Sequence, residues 1–162
     1  MAKSGSVNVV VTSWNSLRFT WALESQSEAN NSSVVSWKLL HIAGSDGYIN
    51  SSAAKDWSVT VNGTTVTGTN SVGISNNSTV TLASGKTTIV HNADGSKTFS
   101  FSFSQEFGIT FQGSSIGTKS GSALSQFLLG KIEHKHLVEN QHYTCSIGRT
   151  TTKTCTIGDV LA

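Results

Sequence analysis

Between His91 and Phe103 the chain reads HNADGSKTFSFSF, and its second half alternates without a break. Phe99, Phe101 and Phe103 hold one parity, while Thr98, Ser100 and Ser102 hold the other. Two residues is the side-chain period of an extended strand, so the rings share one face and the hydroxyls the opposite one. Burying a Phe fully is worth roughly 1.5–3 kcal/mol, so three in a row make a substantial core wall. Upstream, Thr87-Thr88-Ile89-Val90-His91 is β-branched and strand-like. Asn92, Ala93, Asp94 and Gly95 lie between, and Asp94-Gly95 suits the positive φ angles of a tight turn. The stretch predicts a β-hairpin with one apolar face, and the rest of the chain must supply an opposing layer.

Several other segments alternate in the same way. Val7 to Thr12 reads as a first strand, and Leu17, Phe19, Trp21 and Leu23 line one face of a second. Glu24 to Ser33 is polar and reads as a loop. Val35, Trp37, Leu39 and His41 share a parity, as do Trp57, Val59 and Val61. Asn62-Gly63 is a strong two-residue hairpin signal. Val72-Gly73-Ile74 and Thr79 to Leu82 read as short strands, and Phe107, Ile109 and Phe111 continue the alternation beyond the phenylalanine row. Ser114 to Ser122, rich in Ser and Gly, reads as a last strand. Short alternating strands punctuated by Gly, Asn and Asp predict an all-β chain, an antiparallel β-sandwich of immunoglobulin-like or jelly-roll-like kind.

Near Ala123 the character changes. Residues 1–123 read as the sandwich domain and 124–162 as an atypical C-terminal segment, irregular or short-helical. Leu124, Phe127, Leu128 and Ile132 are spaced roughly as on a helix, weakened by Gly130, whereas Thr150 to Ile157 prefers a strand. Three of the five histidines and both cysteines fall in this segment.

Charged residues make up 12% of the 162, with a net charge of +2 and no basic run, so the electrostatic footprint of a nucleic-acid partner is missing. No stretch is long and apolar enough to span a membrane, and the start lacks the pattern of a secretory signal. The expectation is a protein made in a cytoplasm, with neither nucleic-acid nor membrane partners. Residues 1–144 contain no cysteine, so the main fold does not rely on disulfides.

The run TVTLASGKTTIVHNADGSKTFSFSFS from Thr79, the later GTKSGSA, the leading Ser4-Gly5-Ser6 and the strand through Trp37 resemble a family of minor structural proteins from siphophages of Gram-positive bacteria. HNADGSKTFSFSFS is the most specific piece, and the resemblance covers roughly residues 5–123. It implies a virion component of the tail or baseplate built from β-sandwich modules, often tied to host-surface attachment. Such proteins continue after the SGSA segment through a Pro-Arg element into further β-modules. This chain has no proline and turns instead to its Cys/His-bearing end. That departure predicts that residues from about 124 are a non-homologous, poorly ordered end from a shifted reading frame or truncated gene.

Candidate sites are few. His91 and Asp94 flank a turn, and turn formation explains them better than a catalytic pair, since no nucleophile motif accompanies them. His134, His136 and Cys145 are candidate metal ligands, but the short Cys-x₂₋₄-Cys knuckle of zinc sites is missing, so no metal and no other cofactor is expected. Cys145 and Cys155 could close a small disulfide loop or stay free. Trp21, Trp37 and Trp57 share parities with aliphatics and read as core. Trp14 and Tyr48 lie beside turns and are the candidates for stacking on a ligand such as a sugar ring. Glu24, Glu28, Asp46, Asp56, Asp94 and Glu106, the acids before the change in character, include no placed pair for glycoside hydrolysis. The sequence therefore predicts a non-enzymatic phage virion protein of the tail or baseplate. Its expected partners are other tail proteins, copies of itself in an oligomer, and a host cell-wall saccharide. A carbohydrate-binding module of a bacterial surface is the alternative.

Overall fold

The computed structural model describes residues 3–128, 143–147 and 151–155. In chain order the strands are β1 (Ser4–Val10), β2 (Asn15–Ser27), β3 (Ser32–Ala43), β4 (Ala54–Val61), β5 (Thr64–Ser71), β6 (Thr79–Val90), β7 (Ser96–Phe111), β8 (Ser114–Leu128), β9 (Tyr143–Ile147) and β10 (Thr151–Cys155). The first eight form two four-stranded antiparallel sheets of order β1-β2-β3-β6 and β5-β4-β7-β8. β9 and β10 form a separate two-stranded ladder. The chain runs β1-β2-β3 as a meander and crosses to the second sheet for the β4-β5 hairpin. It returns as β6 beside β3, then crosses again to place β7 beside β4. Eight strands split four and four match the strand count of a jelly roll rather than the seven of the immunoglobulin constant type.

The opposing layer demanded by the phenylalanine row comes from β2 and β3. Phe19 stacks on Phe101 and Phe103 across the sandwich, with ring centroids 4.8 and 5.2 Å apart. Trp21 meets Phe99 edge-on at 5.4 Å. Leu17, Val35, Leu39, Val59 and Ile89 fill the same core. The alternation read along β2, β3, β4 and β7 is the alternation of buried and outward residues.

Register adds something that alternation does not. Gly5 pairs with Trp21, Trp21 with Trp37, and Trp37 with Gly85, so one row of the first sheet reads Gly-Trp-Trp-Gly. In the second sheet Trp57 pairs with Gly68. A Cβ on Gly5, Gly68 or Gly85 would lie 2.6, 2.8 or 2.5 Å from the facing indole. The wide rings lie over the bare backbone of edge strands β1, β5 and β6, which only glycine leaves uncovered.

The turns follow local chemistry. Asn62 and Gly63 have φ of 50° and 81°, the doubly positive geometry of the tightest hairpins, and Gln112-Gly113 repeats it at 48° and 79°. Strand limits differ from the readings: the first strand runs Ser4–Val10 rather than Val7 to Thr12, and Thr79 to Leu82 is the start of a strand unbroken to Val90. Three further segments differ in kind. Glu24 to Ser27 continues β2 rather than looping, because its polar residues extend the β2-β3 ladder past a bulge at Leu23/Ser25. The 72–74 stretch makes a single bridge, Ile49 to Ile74, and no strand. Leu124 to Leu128, spaced like a helix, is strand: the β7-β8 ladder holds it in register from Ser100 to Ser96. Backbone pairing there overrides a helical spacing that Gly130 already weakened.

Candidate functional site

His91 and Asp94 do not meet. The His91 Nδ1–H donates to the Gly95 carbonyl at 2.9 Å, which leaves Nε2 to accept from the Ser33 hydroxyl at 2.7 Å. Asp94 Oδ1 instead accepts from the Ser96 hydroxyl at 2.6 Å and the Ser96 amide at 2.9 Å. Those two bonds, the hydroxyl first, hold the Asp94 carboxyl below its ordinary range. The Ser–His contact resembles an activated nucleophile, yet Ser33 is 0% exposed and no substrate reaches it. Its role is to clamp. Asn31, in the left-handed region at φ 44°, donates to the Asn92 carbonyl at 2.7 Å, and the His91 amide donates to the Asn31 carbonyl at 2.8 Å. Together these bonds tie the β2-β3 turn to the β6-β7 turn.

The two aromatic candidates lie at one end of the sandwich. Trp14 sits in the β1-β2 turn, 41% exposed, and Tyr48 in the β3-β4 connection, 57% exposed. The Gly44 amide donates to the Trp14 carbonyl at 2.7 Å, and a Cβ on Gly47 would lie 2.8 Å from that same oxygen. The turn before Tyr48 is thus seated on the backbone of Trp14, and only a glycine fits the contact.

Tyr48 borders an open depression of about 390 Å³. Its other walls come from two segments far apart in sequence, 49–52 and 71–80. The Ile49–Ile74 bridge fastens them together, and Ser71 donates from its hydroxyl to the Ser51 carbonyl. The lining is Tyr48, one amide (Asn50), the serines Ser51, Ser52, Ser71, Ser75 and Ser78, Gly73, and apolar Ile49, Ile74 and Val80; it carries no charged side chain. Trp14 does not line this depression. Sequence reading found Tyr48 by its place beside a turn. It missed the serines, which come together only through one long-range bridge.

This arrangement has hydrogen-bond donors and acceptors next to one exposed ring, and no acid, base or thiol among its walls. It can hold a neutral, hydroxyl-rich ligand by stacking and hydrogen bonding. Among the described residues no three His, Cys, Asp or Glu side chains converge on a point. His134 and His136 lie outside the described residues. Cys145 is on β9, where the backbone register sets it opposite Lys153 rather than opposite Cys155.

The family described as siphovirus protein of unknown function (DUF859) matches residues 15–152, running past the composition break near Ala123. No curated protein and no solved structure matches the chain.

Proposed function

The chain belongs to the DUF859 family of siphovirus proteins, and from that premise we propose that it is a structural protein of the phage tail or baseplate that helps attach the virion to a saccharide of the host cell wall. It performs this role by binding, without catalysing a reaction. The observation that carries the reading is Tyr48, a ring 57% exposed at the rim of an uncharged depression lined by serines and an asparagine. An exposed aromatic face beside hydroxyl and amide partners suits a sugar, whose ring offers C–H bonds to the phenol and hydroxyls to the polar wall. The host is a Gram-positive bacterium, whose wall displays such polymers on its surface.

Mass spectrometry of purified virions is expected to detect peptides of this chain, and their absence from intact particles would exclude the structural role. Sedimentation of the purified chain with host cell walls tests the adhesive role. Wild type is expected to co-sediment and Tyr48→Ala to stay in solution. Equal sedimentation of the two proteins would remove Tyr48 from the binding site.

A further inference from the structure

The two broad outer faces of the sandwich differ in chemistry. On the second sheet, β4, β5, β7 and β8 align hydroxyls in register: Thr60 pairs with Thr65 and Ser102, and Ser102 with Ser122. One row along, Ser58 pairs with Thr67 and Ser104, and Ser104 with Ser120. No side chain in these rows is longer than threonine. The face is therefore sunken, with two adjoining open depressions of about 560 and 490 Å³ that share Ser58 and Ser104. At one end the next row brings Asp56 and Glu106 into the wall of the larger depression. Trp57 pairs with Gln105, so these two carboxylates take directly neighbouring positions on β4 and β7. Like charges so placed repel one another.

The outer face of the first sheet has the opposite sign. Arg18 alternates with buried Leu17 and Phe19, and Lys38 with buried Trp37 and Leu39, so both point outward. Arg18 pairs with Leu40, which puts Lys38 diagonally beside it, about 7–8 Å away between Cα atoms. The remaining outward charges there, Lys86 and Glu24, neutralise each other at 2.6 Å. Among the described residues, Arg18, Lys38, Asp56 and Glu106 close no ion pair. Arg18 donates from Nε to the Asn8 side-chain oxygen at 2.6 Å, and the Lys55 ammonium, which donates to the Gly108 carbonyl at 3.1 Å, stands near Glu106.

We propose that the protein associates with copies of itself by laying the Arg18/Lys38 face of one copy on the Asp56/Glu106 hydroxyl face of the next. The occupant of the sunken face is a second copy because Arg18 and Lys38 lack a carboxylate partner on one side of the sandwich, while Asp56 and Glu106, with only Lys55 nearby and no ion pair closed, leave the other side negative. The small hydroxyl side chains let the incoming sheet approach closely. Because the faces are different patches on opposite sides of the molecule, the contact is head-to-tail and builds a ring or a stack rather than a closed two-fold dimer. Four strands about 4.8 Å apart and six residues rising about 3.3 Å each make a patch of roughly 400 Å² per partner. That is about half a standard interface, so association is weak and strongly sensitive to salt. The proposal does not depend on saccharide binding at Tyr48, and each can fail without the other.

Sedimentation velocity on the full chain tests it. At about 0.05 M salt the wild type is expected to show concentration-dependent association, and at about 1 M, where charges are screened within about 3 Å, to sediment as a monomer. Asp56→Lys with Glu106→Lys makes both faces positive, and Arg18→Glu with Lys38→Glu makes both negative. Each double variant is expected to stay monomeric alone, and an equimolar mixture to associate as the wild type does. The quadruple variant, with both faces reversed, is expected to associate by itself, which also demonstrates that the reversed side chains leave the fold intact. A wild type monomeric at low salt, double variants that associate like wild type, or a mixture that stays monomeric would each overturn the proposal.

Discussion

At His41 one imidazole sets a pH limit on the fold. The residue is 0% exposed, packed edge-on against Phe107 at 5.2 Å. Asn15 donates from its amide nitrogen to the Thr12 hydroxyl at 3.1 Å, so its oxygen faces His41 and accepts from Nε2–H at 3.1 Å. Burial pushes the pKa from 6.5 down to about 4; the Val72 backbone opposes this in part, yet Nδ1 has no partner in hydrogen-bonding geometry. The unfolded imidazole takes a proton near pH 6.5 and the folded one only near 4. His41 therefore contributes its full stability above the upper value, loses it as pH falls through the window, and contributes nothing further below the lower one. The loss across the window is on the order of 3 kcal/mol. Urea unfolding at pH values of about 7.5, 5.5 and 4 is expected to show a falling midpoint. In His41→Gln, which keeps an N–H for Asn15 but cannot titrate, the part of that fall due to residue 41 is expected to vanish. Equal pH slopes in the two proteins would exclude His41 as the cause. The sequence placed His41 on the buried face of its strand through Val35, Trp37 and Leu39. That it is neutral and held by Asn15 is a property of the folded β2-β3 pair.

Among the elements, edge strands β1, β5 and β6 owe their register to glycines as much as to turns. Gly85→Ala would drive a Cβ to 2.5 Å from the Trp37 indole, whose own position is fixed by Phe19 and Trp57. Overpacking of this kind costs typically 1–3 kcal/mol, and a lower denaturation midpoint is expected. Gly117→Ala is the control: nothing lies within 4 Å of its added Cβ, so the midpoint is expected to hold or rise slightly. Equal effects at the two positions would mean that the ring-over-backbone contact carries no weight. The joint between the sheets can be probed at Phe19, which stacks on both Phe101 and Phe103. Phe19→Ala is expected to cost about 3–5 kcal/mol, because rigid sheets on either side cannot collapse into the space it leaves. Strand existence and facing were legible here, since a period of two is written in Leu17, Phe19, Trp21 and again in Phe99, Phe101, Phe103. Strand ends were not. Glu24–Ser27 and Leu124–Leu128 are strand because a long partner ladder extends over them, whatever their local preference.

For the whole molecule, the two proposed activities use separate surfaces, the Tyr48 end and the broad faces. Tyr48→Ala removes an exposed ring, so stability is expected to stay within about 0.5 kcal/mol of wild type while wall binding falls. Unfolding and wall co-sedimentation measured on one preparation separate the two effects, and a large drop in stability would recast Tyr48 as a structural residue. The charge reversals on the broad faces are expected to leave wall binding by the monomer unchanged.

The sequence by itself determined the all-β class, the inward faces of β2, β3, β4 and β7, the Asn62-Gly63 turn and the exposure of Trp14 and Tyr48. Each of these is set by residues adjacent along the chain, through a side-chain period or a turn's φ requirement. Only the tertiary structure decided which strands became neighbours. Crossing three times between sheets put Trp37 over Gly85, joined the 49–52 and 71–80 segments beneath Tyr48, and lined up the hydroxyl rows with Asp56 and Glu106 at their end. Those contacts join positions dozens of residues apart, and no local pattern encodes the register in which two distant strands pair.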